Sequence, residues 1–329
     1  MSILCSGSFV ADILVPDLPE IGPPGSLTYA PNGIHLSPGG HSSNVAINLA
    51  QLGACNIHAV GSIGEDEMGE FLIDQLRNRG VNPLPEIQRD STTAKNVALL
   101  VKGEDRRYIA ELTANSLLTT EHLLKSINLV EPDFFYQGTL GGLPDIEKNL
   151  SMILEKTGKA GALNFIDVIM PSSGWGYLEP ASQSIDILHA NQLEAFDLTR
   201  EINPHRALSK LNRAGVKLAI ISDAQNGVIA GTNKHHVEMP AFLVDQIDPT
   251  GAGDALSAGI LYYLWQNKHR RELITEPETL IDLLLIGQAA GAACVTGLGA
   301  TTSVMMKNVR NILDEQKDQV QTCTRIETQ

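Results

Sequence analysis

The stretch Asp248-Pro249-Thr250-Gly251-Ala252-Gly253-Asp254, running into Ala255-Leu256-Ser257-Ala258-Gly259-Ile260-Leu261-Tyr262-Tyr263-Leu264, carries the strongest signal in the chain. Gly251, Ala252 and Gly253 let several backbone N–H groups converge without Cβ obstruction, and the start of the following helix adds its dipole. The segment therefore suits a phosphate-like anion. It is not a Walker A loop, which ends in Gly-Lys-Ser/Thr, because the residue after the last glycine here is an acid. Two readings of that acid stand side by side on the residues alone. Asp254 takes the proton from a hydroxyl that attacks a γ-phosphoryl group, or it merely caps the helix, since Asp is favoured in the first turn.

Outward from this stretch, short apolar runs alternate with helix-period segments. Strands are predicted over 57–60, 97–101, 134–138, 162–166, 185–190 and 218–222, and amphipathic helices over 43–52, 69–79, 121–129, 145–157, 194–199 and 203–214. That alternation predicts right-handed βαβ crossovers and an α/β fold: a doubly wound, mainly parallel sheet with helices on both faces. Pro16–Pro38 and Lys95–Ala114 break the pattern and read as antiparallel excursions that meet in a small β-lid over about 14–38 and 95–114. With no internal repeat or linker, residues 1–329 read as one domain, and the polar tail after Asp314 is expected to fray.

A hydrophobic share of 43% over 329 residues is enough for a large core and excludes a disordered chain. Twenty-four Lys+Arg against thirty-eight Asp+Glu give a net charge of −14 with no basic stripe, which argues against a nucleic-acid partner. Lys268-His269-Arg270-Arg271 reads as a solvated helix end. Residues 1–15 read as a first buried strand rather than a signal peptide, and Leu280–Val295, which contains Asp282 and Gln288, falls short of a membrane span; a cytoplasmic protein without a membrane partner is expected. Cys5, Cys55, Cys294 and Cys323 lack C-x-x-C spacing and read as reduced thiols, the first three in apolar surroundings. His235-His236 has no acidic or Cys partner at metal spacing and reads as a solvated turn.

Three further segments carry chemistry. In Pro38-Gly39-Gly40-His41-Ser42-Ser43-Asn44 the paired glycines allow close approach of a ligand, and Asn44 offers donors and an acceptor suited to vicinal sugar hydroxyls; a plain turn with a helix cap is the other reading. Asp12, at the end of the first strand, is a second hydroxyl acceptor near the carboxyl edge of the sheet. Asn191-Gln192-Leu193-Glu194 either orients water ligands of a Mg²⁺ ion that bridges nucleotide phosphates or forms a capping box. Gly61-Ser62-Ile63-Gly64 is only a weak dinucleotide-like hint, because it lacks the full G-x-G-x-x-G spacing.

Taken together and in this order, the segments resemble the PfkB or ribokinase family of small-molecule kinases, from Gly7-Ser8-Phe9-Val10-Ala11-Asp12 to Gly299-Ala300-Thr301-Thr302-Ser303. The resemblance implies a ribokinase-like fold with its lid over a sugar site, and ATP-dependent phosphorylation of a sugar hydroxyl. It implies Asp254 as base, Gly251, Ala252 and Gly253 as anion hole, and Asp12, Gly39, Gly40 and Asn44 as sugar contacts. Asn191, Glu194, Ser222, Gly227 and Gln288 fall to MgATP, with Glu194 reaching Mg²⁺ through water, and Asp248, Thr250 and Ser303 to K⁺. The family's Thr-Leu-Gly-x-x-Gly loop reads Ser222-Asp223-Ala224-Gln225-Asn226-Gly227 here. Relatives that act on keto-sugar acids or fructose often carry an Arg before a Trp in a segment like Phe165–Trp175; no Arg occurs in it here, which favours a neutral sugar. A nucleoside, stacked on Tyr29, His41 or Tyr108, is the alternative substrate. A homodimer paired through the lid is expected. Rival readings are a non-catalytic sugar or nucleotide sensor, which needs no base, and a nicotinamide-dependent dehydrogenase, which would need a glycine fingerprint after the first strand.

Overall fold

A computed structural model describes residues 1–104, 106–169, 176–268 and 274–328. The basic cluster at 269–271 and the end of the Phe165–Trp175 segment lie outside the described residues. The strands are β1 (Ile3–Ser6), β2 (Val10–Leu18), β3 (His35–Gly39), β4 (Ile57–Gly64), β5 (Val81–Gln88), β6 (Lys95–Val101), β7 (Arg107–Glu111), β8 (Phe134–Leu140), β9 (Leu163–Val168), β10 (Ile187–Asn191), β11 (Leu218–Ser222), β12 (Val228–Gly231), β13 (His235–Met239) and β14 (Arg325–Thr328). The helices are α1 (His41–Leu52), α2 (Glu67–Arg77), α3 (Thr113–Ser116), α4 (Thr120–Val130), α5 (Pro144–Lys148), α6 (Leu150–Lys159), α7 (Gln192–Thr199), α8 (Pro204–Ala214), α9 (Ala252–Gln266), α10 (Pro277–Val295) and α11 (Met306–Cys323).

Ten strands form one sheet in the order β14-β13-β12-β11-β10-β9-β8-β1-β4-β5, parallel from β11 to β5 and antiparallel from β11 to β14. Strand period two sends alternate side chains into two cores. Ile3, Cys5, Ile57 and Phe165 meet α1, α2, α9 and α10, whereas Leu4, Val60, Phe135 and Ile166 meet α4, α6 and α8. The helix α10 has the length and hydropathy of a membrane span, yet 72% of that window is buried within the fold. It lies close against α9 because both contribute a glycine at the crossing: a Cβ on Gly259 would stand 2.8 Å from the Gly287 Cα.

A second, four-stranded sheet runs β3-β2-β6-β7. It is the expected lid with different bounds and pairing. It begins at Val10, Ser26–Ala30 lies outside its strands, and the two excursions join through a parallel β2–β6 pairing, with antiparallel pairs only outside it. The first strand accordingly ends at Ser6, and Asp12 belongs to lid strand β2, not to the carboxyl end of the first strand. The apolar run that follows Gly7 is continuous enough to read as a single strand, but it serves a different sheet.

Other expectations also need correction. The segment 145–157 is split at Asn149, whose amide donates to the Asp145 carbonyl (2.8 Å) and Thr120 Oγ1 (3.1 Å), competing with the helical ladder. The tail does not fray, because α11 continues to Cys323 and β14 pairs with β13. His235 and His236 lie in β13, and His236 is buried. Cys5 and Cys294 are buried as expected, whereas Cys55 is exposed.

Candidate active site

From β1 the chain builds outward to β4 and β5 on one side, then returns through β8 to β11 on the other. The crevice beyond the carboxyl ends of β1 and β8 is therefore a topological switch point. Its floor is tied by short polar contacts. Ser8 donates its backbone N–H to Thr139 Oγ1 (3.1 Å), the two hydroxyls lie 2.8 Å apart, and the Thr139 N–H donates to His41 Nδ1 at 3.1 Å. Thr139 has φ 59, a strained conformation for a β-branched residue, held where the chain turns beside the site.

Gly251, with φ 78, opens α9, and the space where a Cβ would project from it is filled by Ala300. The first-turn N–H groups that follow have no acceptor within the helix, the arrangement that the expected anion cradle needs. Asp254 stands in that turn, 7% exposed, and its carboxylate caps nothing: Oδ2 accepts the Asn44 amide at 2.8 Å, and Oδ1 lies 3.9 Å from His41 Nδ1. Burial pushes the Asp254 carboxyl above its ordinary range; His41 and Asn44 pull it back, and Asp167 pushes it further up. Side-chain oxygen and nitrogen atoms of His41, Asp167 and Asp254 lie within 4.8 Å of one another, so the Asp254 carboxylate sits in a compact cluster of titratable groups.

Above the cradle, Asp12 accepts from Asn96 Nδ2 at 3.2 Å, and its carboxyl is pushed up to about 7, chiefly by burial, with Asp254 and Asp248 adding to the rise. Gly39 lies so close that any Cβ would strike the Asp12 carboxylate, and one on Gly40 would strike the Ser8 backbone. Asn44 Oδ1 and Asn96 Oδ1 are buried acceptors without a partner among the described residues. They suit a ligand rich in hydroxyl donors.

The lid touches the cradle loop directly. Arg106 Nη1 donates to Thr250 Oγ1 at 3.0 Å, and the Tyr108 hydroxyl lies 3.1 Å from the same atom. Arg106 also covers the Tyr108 ring, at 5.6 Å from its centroid. Asp248, wholly buried, accepts from the Thr250 backbone (3.0 Å) and hydroxyl (2.7 Å) and from the Gly299 N–H (2.9 Å). Ser303 lies on the same returning loop, against Gly297.

On the far side of the crevice Asn191 and Glu194 form a reciprocal capping box on α7: Glu194 Oε2 accepts the Asn191 N–H at 2.7 Å, and Asn191 Oδ1 accepts the Glu194 N–H at 3.0 Å. The other Glu194 oxygen takes no part in the box. Burial raises the Glu194 pKa, so a nearby cation would favour its charged form. Ser222 ends β11 beside this helix. Gly227 has φ 101, with Met239 O in the space a Cβ would need, and Gln288 donates to the carbonyls of Met239 (3.4 Å) and Pro240 (3.2 Å), so its amide braces that turn.

The fold thus gathers Asp12, Gly39, Gly40, Asn44 and Asp254 on one side of the cradle, and Asn191, Glu194 and Ser222 at the ends of β10 and β11. The expected base-stacking set is not gathered: Tyr29 is 78% exposed, Tyr108 is covered by Arg106, and His41 belongs to the floor. Sequence reading missed Asn96, Arg106, Thr139, Asp167 and His189, none of which carries a local motif.

A sequence profile described as pfkB family carbohydrate kinase matches residues 2–307. The chain belongs to the pfkB family of carbohydrate kinases. Members of this family transfer a phosphoryl group to a sugar hydroxyl. Among curated relatives, probable fructokinase-7 of Arabidopsis thaliana is 27% identical, over 94% of this chain and 92% of that protein. Fructokinase-2 of Oryza sativa subsp. japonica is 26% identical over 89% and 86%. Among solved structures, a Xylella fastidiosa fructokinase with bound ATP matches with a TM-score of 0.81 at 24% identity, covering 96% of this chain and 99% of that one. A Thermotoga maritima ribokinase matches at 0.76 and 23%, covering 95% and 99%. Both share the fold of this pfkB kinase, its large sheet and its separate small one.

Proposed function

We propose that this pfkB kinase transfers the γ-phosphoryl group of ATP to a hydroxyl of a neutral sugar. The observation that carries the proposal is the buried Asp254 carboxylate, held by Asn44 in the first turn of α9, with the N–H groups of the Gly251–Gly253 cradle beside it. A sugar under the lid satisfies the free oxygens of Asn44 and Asn96 and the Asp12 carboxylate. Asp254 Oδ1 takes the proton of the attacking hydroxyl, the new O–P bond forms as the bond to the ADP oxygen breaks, and the cradle N–H groups meet the charge on the phosphoryl oxygens. Mg²⁺, when bound through water by Glu194 and oriented by Asn191, neutralises nucleotide phosphate charge. Ser222 and Gly227 line the nucleotide side, with Gln288 behind them.

K⁺ belongs to the same proposal. Among the described residues the wholly buried Asp248 carboxylate takes hydrogen bonds from neutral groups alone, a setting that favours a cation nearby, and Thr250 and Ser303 flank it. Replacing K⁺ by tetramethylammonium is expected to slow turnover; an unchanged rate removes the cation from the mechanism.

The relatives put fructose first on the substrate panel. ADP release from MgATP, with K⁺ present, is measured across neutral sugars, sugar phosphates and nucleosides, with Asp254→Asn in parallel. One sugar class is expected to turn over and to lose ~10²-fold or more in kcat in the variant. No turnover with any class, alongside a ligand-induced rise in melting temperature, would favour a sensor instead. Residues 1–329 acting as one domain, a cytoplasmic site of action, and a homodimer in which a second copy covers the exposed lid residues Leu27, Tyr29, Ile34 and Ile109 complete the proposal.

A further inference from the structure

Asp167 on β9 is a buried carboxylate with three donors around it. Oδ2 accepts from Ser257 Oγ (2.8 Å) and Tyr136 OH (3.2 Å), and Oδ1 lies 3.1 Å from His189 Nδ1. Its other contacts being donors, the carboxylate requires a proton on His189 Nδ1. The opposite ring nitrogen, Nε2, lies 3.0 Å from Ser222 Oγ, at the end of β11 and open to the crevice. The ring also backs the cradle: a Cβ on Gly253 would stand 3.2 Å from His189 Cε1. A continuous chain Asp167–His189–Ser222 therefore runs from the core to the nucleotide side of the cradle.

The direction of its last hydrogen bond decides what Ser222 presents. If Nε2 accepts, the serine hydrogen points into the protein; if Nε2 also carries a proton, it donates to Oγ and the serine hydrogen is left for the crevice. The charged and titratable groups facing the ring are Asp167 from β9, Glu194 from α7, Asp254 from α9 and His41 from α1. Burial works against a charged His189, but Asp167, Glu194 and Asp254 outweigh it, and its pKa is raised; His189 likewise helps to bring Asp167 below the ordinary carboxylate range despite burial.

We propose that His189 is a positioning residue which, anchored by Asp167, stands behind Gly253 and fixes the Ser222 hydroxyl at the nucleotide side of the cradle. This rests on the kinase reading above and adds to it the group that orients the serine hydroxyl from within the sheet. Arg106 reaches the same loop only from the lid. His189 exchanges no proton with the substrate.

The test is a double-mutant cycle in the full chain, with His189→Gln, Ser222→Ala and both together, reading kcat and KM for MgATP and for the sugar separately, with Ser222→Thr as the conservative control. Each single variant is expected to lose about ten- to a hundred-fold in kcat/KM for MgATP, with the sugar KM within about twofold, and the double variant to be no worse than the poorer single one. Ser222→Thr, which keeps the hydroxyl, retains activity. Losses that multiply in the double variant, or fall mainly on the sugar KM, overturn the proposal. Nitrogen-15 NMR of the wild-type chain keeps the question open to test even if His189→Gln does not fold. The ring resonance displaced by Ser222→Ala should belong to a histidine with a proton on Nδ1, and a ring without that proton, or no ring displaced, overturns the assignment. Absence of any ATP-dependent turnover in the wild type counts against the kinase reading itself, a result separate from either outcome here.

Discussion

Asp12 and Asp254 place two acids in one buried site, and the pKa of each is raised above its ordinary value. For Asp12, with a folded value of about 7 against an ordinary 3.8, the folded chain holds a proton that the unfolded chain has released. Its contribution therefore favours folding at low pH and fades as pH climbs from about 4 through about 7. Asp12→Asn, which keeps an oxygen for Asn96, is expected to stabilise the protein by about 1–2 kcal/mol at pH 8 and by much less at pH 5, read by denaturant melts. It is also expected to raise the sugar KM, since Asn accepts sugar hydroxyls less strongly. At this scale the sequence was readable where chemistry is local: Gly251 to Asp254 announce a cradle and an acid within four positions. Asn96, Asp167 and His189 announced nothing, because each derives its meaning from partners on other strands. Of the two readings of Asn191 and Glu194, the capping box is the one the structure displays, because it needs only residues three apart in the chain.

Among the elements, α9 matters most, since it presents both the cradle and Asp254. Its placement depends on contact with α10 at Gly259 and Gly287, where there is no room for a side chain. Gly259→Val is expected to destabilise the fold by about 1–3 kcal/mol, seen as a lower melting temperature, and to reduce turnover per folded molecule by displacing the first turn of α9. Buried parallel strands such as β8 and β9 were legible as apolar runs, because both faces demand the same residue type. β14 was not, since all four of its residues are exposed and give no period, and β2 was fused with β1 because apolar character alone does not reveal a change of sheet.

Across the whole molecule, the lid leaves β3 and β7 as edges and carries exposed Leu27, Tyr29, Ile34 and Ile109. Pairing through this sheet predicts a species of twice 35.4 kDa in sedimentation at micromolar concentrations, shifted toward the single chain by Ile109→Asp. Single-chain mass for the wild type would rule the dimer out. The alternation of strand and helix made the large sheet legible, whereas the β2–β6 pairing, between residues 83 or 84 apart in the chain, was visible only as two interruptions. The Asn44–Asp254 hydrogen bond spans 210 residues and joins α1 to α9 across one face of the sheet. Synthesis on the ribosome proceeds from the other end. Ile3, Val45, Ile57 and Phe134 emerge while the helices that will cover them, α9 and α10, are still being made. A nascent chain stalled before Gly251 would therefore leave one face of its large sheet without α9 and α10, making it a natural client for holding chaperones while it still lacks the turn that carries Asp254.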